Sequence, residues 1–135
     1  MTMRTSSPRN VAVILSGCGF QDGSEIHEAV CTLLALDQQG AKYQCFAPDI
    51  AQTRVMNHYT QTVVPTETRN VLVESARIAR GNIQPLSAFQ VDQFEALVLP
   101  GGFGAAMNLS DFATAGAQCT IQTDVARAVT GMHQA

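Results

Sequence analysis

The apolar positions along the chain fall into runs of differing period. Residues 11–15, "VAVIL", form an unbroken β-branched-rich run, the pattern of a strand covered on both faces within a parallel sheet. Over residues 24–39, Ile26, Val30, Leu33, Leu34 and Leu36 gather mostly on one helical stripe, and Gly40 stops the helix. "KYQCFAP", residues 42–48, predicts a second strand closed by Pro48, at the separation a right-handed crossover requires. Residues 49–68 are polar and poorly periodic, with a candidate short strand at "TQTVV", and read as an excursion of the kind that borders sites. Residues 68–81 predict a second helix, with Leu72, Ser75, Ala76 and Ala79 inward and Gly81 as its stop. "FEALVLPGG", residues 94–102, predicts a third buried strand, and a final helix covers residues 122–134. This order indicates a layered α/β fold with a mostly parallel sheet.

At 135 residues and 46% apolar composition, the chain has the size of one domain. Residues 1–10, "MTMRTSSPRN", read as a disordered tail, and residues 11–135 as the domain portion. Eight basic residues against eleven acidic ones give a net charge of −3. No run of Lys or Arg could follow a phosphate backbone, so nucleic acid is excluded as a partner. No apolar segment reaches the length of a membrane span and the opening decamer lacks a signal core, so the expectation is a soluble, cytoplasmic chain without a membrane partner. Cys18, Cys31, Cys45 and Cys119 form no C-x-x-C pair, and the three histidines have no ligand spacing. We therefore expect reduced thiols and no metal, with Cys31 and Cys45 acting as small buried hydrophobes.

The turns after the first and third strands belong on the carboxyl edge of the sheet, where open α/β folds bind ligands. In "SGCGFQDGSE", Gly17, Gly19 and Gly23 miss a dinucleotide fingerprint by one residue. Asp22 and Glu25 would also repel a pyrophosphate at the helix N-terminus. Capping by Asp22 with Glu25, or by Ser24 alone, is the plain reading of that turn, with His27 and Glu28 solvated on the outer face. "LPGGFGAAMNLS", residues 99–110, supplies glycine amides suited to an oxyanion hole, or merely a tight strand-to-helix turn.

Taken in order, "ILSGCG", "DGSEIHEAV", "CFAPD", "ETRNVL.E.ARI.RG", "LPGGFGAA.NLS" and the closing "MHQA" resemble the PfpI-like, class I glutamine amidotransferase-like superfamily, and within it the ElbB type (enhancing lycopene biosynthesis). The resemblance spans residues 11–135 and implies a three-layer flavodoxin-like sandwich with a cofactor-free cysteine site. It implies Glu25 as the catalytic acid/base and Gly101 and Gly102 as oxyanion donors. Cys18, Gly19 and Asn108 would then line the pocket. It further implies a homo-oligomer, a homodimer in such proteins. The associated activity is glyoxalase-type, turning glyoxal or a similar small carbonyl metabolite into a 2-hydroxy acid without glutathione. In such proteins the nucleophile elbow follows the helix that here ends in "MHQA". The chain thus reads as truncated before the nucleophile, catalytically incomplete and open at the edge beside "ALVLP". Neither Cys18 nor Cys119 carries over as the nucleophile. The alternative is a module on the same fold that binds a small metabolite, or regulates, without reaction.

Overall fold

The computed structural model describes residues 7–135. Most of the expected tail, residues 1–6, lies outside the described residues, and the sheet already begins at Asn10. Strand β1 (Asn10–Ile14) leads through the first glycine turn into α1 (Ile26–Gln38) and β2 (Lys42–Ala47). A small antiparallel hairpin, β3 (Met56–Asn57) and β4 (Thr62–Val63), occupies the polar excursion. Helix α2 (Val71–Ala79) and strands β5 (Ile83–Pro85) and β6 (Ala96–Val98) follow. Short helices α3 (Gly104–Met107) and α4 (Phe112–Ala115) then lead to α5 (Thr123–Gln134).

The main sheet is ordered β5-β2-β1-β6, and every pairing in it is parallel. The alternation of β1 builds two cores. Ala12 and Ile14 meet Phe46, Leu86, Phe89, Leu109, Val125 and Ala128 beneath α5. On the other face Val11, Val13 and Leu15 meet Ala29, Leu33, Cys45 and Ile78 beneath α1 and α2. A strand so covered must be apolar at every position, which is why "VAVIL" shows no alternation. The result is an α/β/α sandwich with a parallel sheet, the fold class expected. Phe46 centres one core, its ring edge-on to both Phe89 and Phe94 at 5.5 Å. Arg127 of α5 is tied beneath by donating to the Phe89 and Leu86 carbonyls at 2.8 and 3.1 Å.

Several local expectations are corrected. Helix α1 turns Ala29 and Leu33 to the sheet, leaving Ile26, Val30 and Leu34 on an exposed ridge, because small Ala29 lets the backbone approach closely. Cys31, on that outer side, is exposed rather than buried, whereas Cys45 is buried as expected. In α2 the buried residues are Val71, Glu74, Ser75 and Ile78: of the expected set Ser75 is buried and Ala79 packs against the core, while Leu72 and Ala76 are half-buried. Strand β5 has no counterpart in the hydrophobic pattern: three residues ending in Pro85 are too few to show a period. Helix stops follow the glycines. Gly40 sits at φ +73° after α1, and Ala41 N–H bonds back to the Leu36 carbonyl at 3.0 Å.

Strand β6 is an edge. Among the described residues no strand pairs with its outer side, and Leu99, Ile121 and Val129 stand 39–44% exposed around an apolar groove beside it.

Candidate functional site

The first turn is held together by its own backbone. Gly17 N–H donates to the buried Ser75 hydroxyl at 2.9 Å, Gly19 N–H to the Ser24 carbonyl at 2.9 Å, and Gly23 N–H to the Gly19 carbonyl at 2.7 Å. All three glycine amides are therefore committed, and no cradle is left for a phosphate. Nor does either capping scheme read from the sequence hold for Asp22 or Ser24. Asp22 accepts from Met56 N–H at 2.8 Å, tying the hairpin to the turn, and the Ser24 hydroxyl accepts from Ser16 N–H at 2.9 Å. Gly19 lies at φ +142°, and a Cβ there would meet the His58 ring at 2.6 Å.

Glu25 is the cap of α1. One carboxylate oxygen accepts from Glu28 N–H at 2.7 Å and the other contacts His27 Nδ1 at 3.1 Å. The Glu28 N–H first, and His27 second, hold the Glu25 carboxyl below its ordinary range. The side chain is 25% exposed and is solvated by hydrogen-bond donors.

The second turn packs directly onto this cap. Glu25 N–H donates to the Gly101 carbonyl at 2.8 Å, and Phe103 N–H to the Phe20 carbonyl at 2.8 Å. Gly102 lies at φ +117°, with the Gly23 carbonyl and the Glu25 amide where its Cβ would be, so only glycine fits. The amides of Gly101 and Gly102 donate to no acceptor among the described residues. Glu25 and Gly102, with Phe20, Glu28 and Phe103, line an open depression of about 360 Å³. The Glu28 carboxylate lies against the Gly101 α-carbon.

The remaining candidates lie elsewhere. Cys18 and Gly19 do not line the depression. Cys18 packs toward α2 against the core beneath that helix, where burial first and the Glu74 carboxylate second push its thiol above the usual value. Asn108 is 6% exposed and acts as a clamp: its amide donates to the Ser16 and Asp22 carbonyls, both at 2.9 Å, while its oxygen accepts from Thr53 N–H at 3.0 Å. Cys119 follows a 3-10 turn at Gly116–Gln118, away from the depression. Glu28 is the residue that sequence reasoning set aside as solvated. Its place one helical turn after Glu25 was the available signal, since residues three apart share a face. Among the described residues, no group of three His, Cys, Asp or Glu side chains is placed to hold a metal, and no helix is long and apolar enough to cross a membrane.

No protein-family profile matches the chain. It is 47% identical over 136 residues to "Glutamine amidotransferase-like class 1 domain-containing protein 3, mitochondrial" of Homo sapiens, covering 98% of this chain and 51% of that protein. It is 46% identical, over the same shares, to "ES1 protein homolog, mitochondrial" of Rattus norvegicus. The chain thus spans about half the length of the curated relatives it matches. Among solved structures, an isoprenoid biosynthesis protein with an amidotransferase-like domain from Ehrlichia chaffeensis superimposes with a TM-score of 0.87 at 43% identity, covering 93% of this chain and 59% of that one. Sheet order, glycine turns and likeness agree: the chain has a class I glutamine amidotransferase-like fold and is similar to proteins so named over about half of their length.

Proposed function

We propose that this chain forms the acid/base and oxyanion half of a glyoxalase-type site, whose cysteine nucleophile comes from outside residues 1–135. The observation that carries the reading is the shared depression: Glu25 and Gly102 line one space, and the amides of Gly102 and of its neighbour Gly101 have no acceptor among the described residues. A thiolate adding to one carbon of glyoxal leaves a negative oxygen, and two backbone amides are donors of the kind that stabilise it. The proton on that carbon then moves to the neighbouring carbon through Glu25, giving a thioester of the 2-hydroxy acid. Water cleaves the thioester, releasing the acid and restoring the thiol. The substrate class is a small 2-oxoaldehyde, no cofactor or glutathione enters, and the working form is a homo-oligomer. The compartment, cytoplasm on the sequence reading and mitochondrion on kinship with relatives so named, is decided by cell fractionation.

The test has two arms. The purified 135-residue chain, given glyoxal, should form no hydroxy acid, and turnover comparable to a full-length relative would refute its incompleteness. In a full-length form, Glu25→Gln should abolish turnover while leaving the fold intact, and retained turnover removes Glu25 from the mechanism.

One observation favours a second reading, a non-catalytic binding module. Glu25 is held ionised by the Glu28 amide and His27, and a carboxylate below its ordinary range is a weak proton carrier at neutral pH. On that reading the depression holds a carbonyl compound through the glycine amides alone. Glu25→Gln would then leave ligand affinity unchanged in a form that never turns over.

A further inference from the structure

We propose that a cleft sharing Phe103 with the Glu25 depression is a second small-molecule site, built for a monocarboxylate with an apolar body. The cleft measures about 300 Å³, the lower end of the range for ligand pockets, and is more enclosed than the depression beside Glu25. Phe103, Ala106 and Met107 make its apolar wall, Arg54 comes from the excursion after β2, and Asp111 and Thr114 come from the start of α4. This is the composition of a ligand pocket: mostly apolar, with a few convergent polar groups.

Arg54 sets the sign of the ligand. Arg9, Arg69, Arg77 and Arg127 each pair with a carboxylate, whereas Arg54, like Lys42 and Arg80 outside the cleft, enters no ion pair among the described residues. One of its terminal nitrogens donates to the Gln21 carbonyl at 3.3 Å, which anchors the guanidinium and leaves its other donors available. The loop carrying it is also fixed. The Thr53 hydroxyl donates to the Met107 carbonyl and the Thr53 N–H to Asn108 at 3.0 Å, so little ordering remains for a ligand to impose. A guanidinium fork matches a carboxylate in two parallel hydrogen bonds.

Asp111 lines the cleft as well and carries the opposite charge, but one of its carboxylate oxygens is engaged within its own loop. It accepts from Thr120 N–H at 2.6 Å, and its carbonyl takes the Thr114 hydroxyl at 3.1 Å. The site stands independently of the glyoxalase reading, since neither Glu25 nor the Gly101 and Gly102 amides line the cleft.

The experiment titrates the ¹⁵N-labelled chain with phenylacetate, with phenylacetamide and phenethylamine as uncharged and cationic counterparts, and follows backbone amide shifts. Saturable shifts at residues 53–54, 103–107 and 111–114 are expected from phenylacetate alone. Arg54→Gln should weaken binding at least about tenfold, the loss of a charge-assisted hydrogen bond, with its spectrum outside the cleft unchanged. Glu25→Gln should bind like the parent, which separates failure here from failure of the carbonyl site. Equal binding of the amide or the amine, shifts confined to other surfaces, no shift at millimolar phenylacetate, or undiminished binding by Arg54→Gln would each overturn the proposal. Should Arg54→Gln not fold, the preference of the unaltered chain for acid over amide decides it.

Discussion

The clamp at Asn108 makes the sharpest quantitative prediction. Asn108→Ala removes three hydrogen bonds at once and leaves the Ser16 and Asp22 carbonyls and the Thr53 N–H without partners. A buried polar group so orphaned costs about 1–3 kcal/mol. Ser16 is 2% and Asp22 4% exposed, while exposed Thr53 recovers water, so the sum expected is about 3–4 kcal/mol. For 135 residues, an unfolding entropy of about 2.1 cal/mol/K per residue gives about 0.28 kcal/mol/K, and the midpoint should fall by about 11–14 °C. Thermal unfolding followed by circular dichroism measures this directly. Asn108→Asp is the control on mechanism: it keeps an acceptor for Thr53 but aims a carboxylate at two carbonyls, so its loss should equal or exceed that of Ala. A fall below about 3 °C for Ala, roughly 1 kcal/mol, or a near-native midpoint for Asp, would show that these bonds do not hold the two turns together.

Two further outcomes follow from the glycines and thiols. Gly102→Ala, where a Cβ meets backbone on both sides at φ +117°, should lose about 3 kcal/mol or more. Gly81→Ala, at φ +83° with open space around it, should lose only about 1 kcal/mol; urea titrations of equal depth would refute the steric account. Burial pushes the Cys45 thiol up to about 11 from 9.0. The folded state therefore holds its proton more tightly than the unfolded one, and the stability this contributes is intact below pH 9 and lost as pH rises toward 11. Cys45→Ala should lose stability less steeply over that window, and an identical alkaline decline in the two proteins would rule the thiol out.

Much of the scaffold was legible because β1 is sandwiched between two cores and so carries an undiluted apolar run, and because Gly40 and Gly81 stop their helices. The faces of α1 and α2 were so only in part. Their inward lines run through Ala29 and Ser75, small residues chosen for close approach, while larger Ile26, Val30 and Leu34 remain outside and dominate any hydrophobic count. At the site, the Glu25 turn and the "PGG" turn were readable as neighbours because both leave the same edge of a parallel sheet. What sequence alone could not give was the partner of each polar group. Asn108 reads as a rim residue until its three bonds are seen, and the direction of the Glu25 shift depends on the amide one turn along its own helix.

The bare flank of β6 has a practical meaning for anyone handling this polypeptide. The outward backbone groups of this short edge strand, beside Leu99, Ile121 and Val129, form an adhesive seam that an extended peptide can zip onto. Yield in bacterial expression should then be governed by concentration and dwell time rather than by melting temperature. Leu99→Lys, which places a charge at a 39% exposed position beside that seam, is the gatekeeper a protein engineer would try first.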